Sequence, residues 1–557
     1  MKKKSGTNNL LIAVLAVAFA IRFWGIGHTD ILGDEAAQAF RSVGYLDYLG
    51  TNFQTQPVDW FKDGDLPRWT LLSFHDDPPL FFLIQHIFFR IFGDSLLIAR
   101  LPAVLAGTFS TWLIYLISRK ILSVRKAGSF LQYDQIGNIE SISLLAAGIF
   151  AIEPATVGIF RTSLLEPVLI FFILLNLHHF LLFLENRRQW LMFGLTFGLV
   201  ALTKYTGIFL LPAYFSYLAL YNRGILKSRY FWSALLVTSL MFAPVFVYNF
   251  YLYKSTGHFD LQFAYLFGQE TPEWTELAGK EQSPFSEIHI NFRKSYGLGL
   301  FILALFGALD SARRYRSGEK GMALFWLYPA FLVILLLKIG SASRFLAMFS
   351  PAMAFLAALG LWRIWTLPVS KYIGYILKFF VILFLIFEFN ASIGRNITDF
   401  PSYGIAGLDD YFSEEFGGIE SAVIPESDNR HLNNLIHSFA KEKTAKPRAK
   451  VLIIYDDNVS LPTLEWIFYR RFFYHSIPAL FVENFQRTLA SAGQDYFKGF
   501  KIYYVQSTGN TLLNPFKAEK TVGAEFEKVV LANGVKLDRS IAGTDGKEMF
   551  RVYKFSL

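Results

Sequence analysis

Carboxylates and cations recur in this sequence at the edges of long apolar blocks, where a charge is costly and therefore informative. Asp34 and Glu35 follow the first block, and His75, Asp76 and Asp77 precede a short apolar run that ends at Phe92. Arg100 opens the second block, Arg161 and Glu166 fall between the third and fourth, and Lys204 divides the fifth from the sixth. Lys338 and Arg344 bracket a later turn, and Arg22 lies near the end of the first block. Carboxylates accept protons from hydroxyls or amines, and cations hold a phosphate on which negative charge develops. That combination suits attack on an anomeric carbon whose leaving group is a phosphate. Each residue alone has a plainer explanation. A lone Arg or Lys at a helix end reaches for headgroups. Glu166-Pro167 and Asp76-Asp77-Pro78-Pro79 read as helix starts, and Asp34-Glu35 as first-turn acids. The set, drawn from distant parts of the chain, points to a site.

The elements that must position these residues are membrane helices. Hydrophobic residues make up 53% of the 557 residues and charged residues 17%, against about 25% charged in soluble chains. A span takes about 20 apolar residues. About eleven segments qualify or nearly do, near 8–26, 97–118, 142–159, 166–184, 189–203, 205–221, 231–250, 297–312, 322–338, 344–363 and 371–390. The 59 Phe, 27 Tyr and 11 Trp suit lipid-facing helices with interfacial aromatics. Met1-Lys2-Lys3-Lys4 before Leu10 to Trp24 reads as an uncleaved first helix, because no small-x-small site leads into a soluble domain.

Basic loops give the orientation. With the N-terminus in the cytoplasm, one inner loop holds Arg119, Lys120, Arg125 and Lys126, and the next Arg187 and Arg188. Later inner loops hold Arg223, Lys227 and Arg229, then Arg313, Arg314, Arg316 and Lys320, then Arg363 and Lys371. The candidate residues then all face the outer leaflet. Pro78 to Phe92 is too short for a span, and counting it as one would turn the basic loops outward. It is predicted to lie along the outer interface as a helix over 78–92. The net charge of +9 belongs to the inner loops rather than to a nucleic-acid patch. The absence of cysteine excludes disulfides, thiolate metal sites and a cysteine nucleophile.

Three pieces remain outside the membrane: loop 27–96, loop 251–296 and the tail from Ala391 to Leu557. The expected organisation is a transmembrane domain over 1–390 and an extracytoplasmic α/β domain over 391–557. In the tail, Val451 to Tyr455 and Lys501 to Val505 read as buried strands, and Leu461 to Phe473 as a helix.

Several motifs then carry a family resemblance. Arg22-Phe23-Trp24-Gly25 followed by Gly33-Asp34-Glu35-Ala36 resembles the first span and first external loop of the protein O-mannosyltransferases. That family has bacterial relatives, aminoarabinose transferases among them, and belongs to the GT-C superfamily. His75-Asp76-Asp77-Pro78-Pro79-Leu80 resembles the family's His-Pro-Pro-Leu element. Phe92-Gly93-Asp94-Ser95 through Arg100-Leu101-Pro102-Ala103 to Gly107 is similar to its next stretch. Leu202-Thr203-Lys204-Tyr205-Thr206-Gly207 resembles its Leu-Thr-Lys-x-x-Gly element, and Arg344-Phe345-Leu346 with Pro351 and Ala352 its Arg-Tyr-Leu helix start. The resemblance runs in order over about the first 365 residues.

It implies a polytopic GT-C fold and sugar transfer from a polyprenyl-phosphate donor, at the outer face of the cell membrane, to lipid A, an envelope glycan or a protein. It implies Asp34 as the base with Glu35 beside it. Lys204 and Arg344, then Arg100 and Arg161, are implied as holders of the carrier phosphate, supported by Arg22, His75, Asp76, Asp77 and Glu166. No dense His/carboxylate spacing demands a metal, although a divalent ion is compatible with the superfamily. The departures are informative. Asp77 stands where aminoarabinose transferases carry a Lys, which argues against that activity. Glu166-Pro167 replaces an Asp-x-Pro-like element. A Trp-Trp-Asp-Tyr-Gly motif is absent, which argues against an oligosaccharyltransferase, and loop 251–296 is too short for a β-trefoil insertion. A transporter or flippase is the competing reading, but transporters place charges near the midplane on broken helices. No GxGxxG or P-loop speaks for a nucleotide substrate.

Overall fold

The structure is a computed structural model, and it describes residues 2–50, 55–123, 133–269, 285–417, 419–441, 447–508 and 521–557. Arg125, Lys126 and residues 270–284 of the loop 251–296 lie outside the described residues. Each of the eleven predicted apolar segments is largely helical, and the protein is a multi-span membrane protein. Among the described residues, seven helices are long and apolar enough to cross a bilayer, and Thr7–Phe23, Leu80–Phe92 and Gly137–Ile152 are shorter apolar helices. The Lys371–Ile393 helix exposes Phe379, Phe380 and Phe387, an apolar surface suited to lipid.

Several segments differ in detail from the sequence reading, among them the following. The predicted span 142–159 ends at Ile152, and a separate helix runs Pro154–Ile159. Pro154 cannot donate a backbone hydrogen bond, and the Glu153 carboxylate accepts instead from the N–H groups of Ala155 and Thr156, both at 2.7 Å. The segment 205–221 begins as a 3-10 turn, Tyr205–Phe209, before the helix Leu210–Tyr221. The tail helix at Leu461 contains a π turn over Leu464–Tyr469.

The chain forms two compact units. The first comprises Met1–Trp24, Trp69–Phe81 and Arg100–Asp399. Its helices are tied by small residues and buried amides. A Cβ on Gly307 would lie 1.7 Å from Leu356 O, and one on Gly360 2.2 Å from Leu303 O, so the Phe285–Arg316 segment, beyond its kink at Gly297, and the Ser350–Trp365 helix cross backbone to backbone. Asn176 donates to Phe193 O and Thr196 Oγ1 and accepts from Tyr214 Oη, which links three helices away from water.

The second unit comprises Gly25–Arg68, Phe82–Ala99 and Phe400–Leu557. A short parallel pair joins β1 (Glu420–Ser421) to β2 (Arg448–Ala449). The main sheet contains β3 (Val451–Tyr455), β4 (Ala479–Phe481), β5 (Lys501–Ser507), β6 (Leu537–Ala542) and β7 (Glu548–Ser556), in the order β4-β3-β5-β7-β6. The first three are parallel and β7 is antiparallel to both β5 and β6. Strands β3 and β5 are the two read from their continuous apolar runs, as expected for central strands covered on both faces. Leu452, Ile454, Ile502 and Tyr504 pack with Val482, Phe485 and Phe526 from the covering helices.

Candidate active site

In the first unit, three helix ends bring Lys204, Glu166 and Arg344 together. The Trp190–Thr203 helix stops at Lys204, whose extended backbone (φ −160°, ψ 136°) turns the chain into the next element. Glu166 lies in the first turn of the Leu165–Glu185 helix, ahead of Pro167. Arg344 sits in the Ser343–Leu346 turn, reached through Gly340 at φ 93°. Lys204 Nζ is 2.8 Å from Glu166 Oε1, and Arg344 Nε is 3.9 Å from the same oxygen. The Phe345 ring lies beneath both cations, 5.3 Å from Lys204 Nζ and 5.0 Å from Arg344 Cζ. Glu166 is fully buried, and its Oε2 has no hydrogen-bond partner among the described residues. Two cations thus share one carboxylate oxygen.

The loop carrying His75, Asp76 and Asp77 is close enough for both aspartates to act electrostatically on Lys204. Its own position is set from the segment that follows Asp260. Leu261 N donates to His75 O at 2.7 Å, and Gln262 Nε2 donates to Asp76 O at 2.8 Å. Both donors follow Asp260, which caps the Leu261–Leu266 helix and accepts from Tyr205 Oη at 2.7 Å and Asn249 Nδ2 at 2.9 Å. Sequence reading missed Asp260, Asn249 and the role of Tyr205. An Asp ahead of a short apolar run is a helix-cap signal, but its link to Lys204 through Tyr205 is made only in three dimensions.

Arg22, Arg100 and Arg161 form a second buried group. Arg22 donates to Phe150 O and Ala151 O, closing the carboxyl end of the Tyr133–Ile152 helix. Arg161 donates from one nitrogen to Ile21 O, Arg22 O and Trp24 O, closing the end of the first helix. Its Nη2 is buried without a hydrogen-bond partner among the described residues. Arg100, also buried, is near enough to Arg161 for their charges to oppose each other.

Asp34 and Glu35 belong to the second unit. They open the Asp34–Gly44 helix behind Gly33, whose φ of 51° few other residues tolerate. Asp34 is exposed, whereas Glu35 is buried and accepts from Leu32 N at 3.5 Å. The two neighbours therefore divide the work: Glu35 closes the helix start and Asp34 faces outward.

Comparison with known proteins bears on the fold. The family model described as dolichyl-phosphate-mannose-protein mannosyltransferase matches residues 76–248, a stretch that includes Arg100, Arg161, Glu166 and Lys204. A solved structure of ArnT from Cupriavidus metallidurans bound to undecaprenyl phosphate aligns over 98% of this chain and 97% of its own, with TM-score 0.52 and 12% identity. The archaeal oligosaccharyltransferase AglB from Archaeoglobus fulgidus, solved with an inhibitory peptide and a dolichol-phosphate, aligns over 91% and 70%, with TM-score 0.52 and 14% identity. An uncharacterized protein of Aquifex aeolicus (strain VF5) is 26% identical over 286 residues, 50% of this chain and 52% of the relative. The chain thus spans about half the length of that curated relative. The fold is of the GT-C glycosyltransferase type, and the chain resembles the protein O-mannosyltransferase and aminoarabinose transferase-like group within it.

Proposed function

We propose that this protein transfers a sugar from a polyprenyl-phosphate donor to an acceptor hydroxyl or amine at the outer face of the membrane. The observation that carries this reading is the convergence of Lys204 and Arg344 on one buried carboxylate within an apolar helical unit. A lipid-anchored phosphate is the anion that reaches such a place, and a buried phosphate is held best by more than one cation. Arg100 and Arg161 add a second patch of positive charge, and Arg161 Nη2 is available to an incoming oxygen. Support also comes from the fold shared with a protein solved with undecaprenyl phosphate. Fold alone does not choose the sugar or the acceptor.

The reaction follows from these groups. The acceptor oxygen or nitrogen attacks the anomeric carbon, and its proton passes to Asp34. The bond from that carbon to the carrier-phosphate oxygen breaks, and the phosphate leaves with the electron pair. Lys204 and Arg344 hold the charge that it gains. One displacement inverts the anomeric centre. Asp34 is preferred to Glu35 because it is exposed, while Glu35 is spent on the helix start.

Mass spectrometry of lipids and glycans from cells with and without the protein identifies donor and product. With that donor, Asp34→Asn is expected to lose at least about 100-fold in turnover, since general-base catalysis is worth about 100- to 10,000-fold. The variant protein still inserts and binds undecaprenyl phosphate. Near-normal turnover by the Asn variant would exclude Asp34 as the base.

A further inference from the structure

The C-terminal tail has no assigned role, and its contacts with the Asp34 helix give it one. The Asp34–Gly44 helix buries Ala36, Ala39, Phe40 and Val43 on one face. Phe40 is completely buried, and its ring centre lies 5.3 Å from Tyr474, 6.0 Å from Phe473 and 6.2 Å from Tyr469. All three partners belong to the tail, on or just after its π turn. Gly44, the last residue of the helix, lies so near the tail that an added Cβ would meet Tyr474 Cε1 at 2.2 Å. Gly50, at φ +58°, would place a Cβ 2.3 Å from Tyr469 Cε2.

Polar contacts pin the flanks of this helix. Ahead of it, the fully buried Asp30 accepts from the tail's backbone N–H groups of Ala406, at 2.7 Å, and Tyr403. Behind it, His86 Nδ1 lies 2.9 Å from Ser42 O. The helix bearing His86 is followed by Asp94, which receives His475 Nε2 at 2.6 Å and pairs with Arg470. The Asp34 helix is therefore held before, along and behind its length, and most of the holding groups come from residues 400–557.

We infer that the tail is the mount of the catalytic base: it fixes the helix that presents Asp34 rather than serving as a separate acceptor-binding module. This inference rests on the proposal that Asp34 is the base. A base must hold hydrogen-bond distance to the acceptor proton, and a displacement of about 1 Å can cost about 100-fold in rate. The tail's grip on the helix sets that distance.

The test is Gly44→Ala in the full-length protein, which drives a methyl group into the buried Tyr474 ring. Turnover number is expected to fall about 100-fold, with undecaprenyl phosphate affinity and acceptor KM within about twofold of the parent. Gly44→Ala with Tyr474→Leu gives the methyl room and restores most of the turnover. In an Asp34→Asn background, Gly44→Ala adds little further loss, because the base it would misplace is already gone. If Gly44→Ala does not fold, Tyr474→Ala, which opens a void beside Phe40, carries the same expectations. Unchanged turnover, a loss confined to acceptor KM, an equal further loss in the Asn background, or joint loss of undecaprenyl phosphate binding each overturns the inference. Asp34→Asn alone tests the base itself. If that variant is inactive while Gly44→Ala is fully active, the mount fails and the base stands; if the Asn variant is active, the base assignment fails.

Discussion

Lys204 carries one half of the proposed donor site and can be tested directly. Removing its ammonium takes away a charge-assisted hydrogen bond, worth about 1.5–3 kcal/mol, so undecaprenyl phosphate affinity should fall about 10- to 100-fold. Lys204→Ala alone would strand the buried Glu166, so the cleaner comparison is Lys204→Ala/Glu166→Gln against Glu166→Gln in equilibrium binding. Equal affinity of the two would remove Lys204 from the site. A second residue-scale test concerns Glu465 in the tail. Both its oxygens are buried without a hydrogen-bond partner among the described residues, and burial pushes its carboxyl up to about 8, with the charge of nearby Arg41 opposing the shift. A raised folded-state value means stability that is complete below the ordinary 4.5 and is lost as pH rises through about 8. Glu465→Gln, which cannot ionise, should therefore melt higher than the parent at pH 8.5 and match it at pH 4. Thermal melts across that range check the sign. Lys204, Arg344 and Glu166 were legible in the sequence because each sits in a short motif at an apolar edge. The helix-capping work of Arg22 and Arg161 was not, because the helix-end carbonyls they close lie 128 to 140 positions away. Glu153 escaped notice for a local reason: its apolar neighbours made 142–159 read as one span, although Pro154 marks the break.

Helix crossings decide whether these ends meet. The contact between Gly307 and the backbone at Leu356 leaves no room for a side chain. That contact fixes the helix Ser350–Trp365, which continues from the turn bearing Arg344. Gly307→Val should force the two helices apart, lower the melting temperature in detergent and weaken undecaprenyl phosphate binding together. Gly137→Ala is the control, since nothing lies within 4 Å of a Cβ there. Replacing a glycine inside a helix stabilises by about 0.5–1 kcal/mol when space allows. A Gly307→Val protein as stable as the parent would show that this crossing does not set the geometry. The apolar blocks were readable as helices because lipid leaves few alternatives. The close glycine crossing was not, because it depends on which faces meet.

For the whole molecule, the basic loops predict the N-terminus inside and the tail outside. The absence of cysteine allows a direct check, since any introduced thiol is unique. In sealed right-side-out vesicles, an impermeant maleimide should label exposed Ser491→Cys in the tail, and Ser317→Cys only after permeabilisation. The opposite pattern would invert the proposed topology. The sequence separates a membrane part from a tail along the chain, but the second compact unit also draws in Gly25–Arg68 and Phe82–Ala99. That assembly could not be read from composition, because hydropathy reports solvent and not partners. It has a consequence during synthesis. Roughly 300 residues separate Ala99 from Phe400, and at about 5–20 residues per second a ribosome takes about 15–60 s to make them. For that interval the nascent protein carries only the smaller part of a folding unit, with Phe40 and its apolar neighbours lacking the surface that will cover them. Quality control during translation therefore meets this protein first as an orphan, and a ribosome that stalls near residue 390 leaves behind a membrane-inserted product whose early loop has nothing to fold onto.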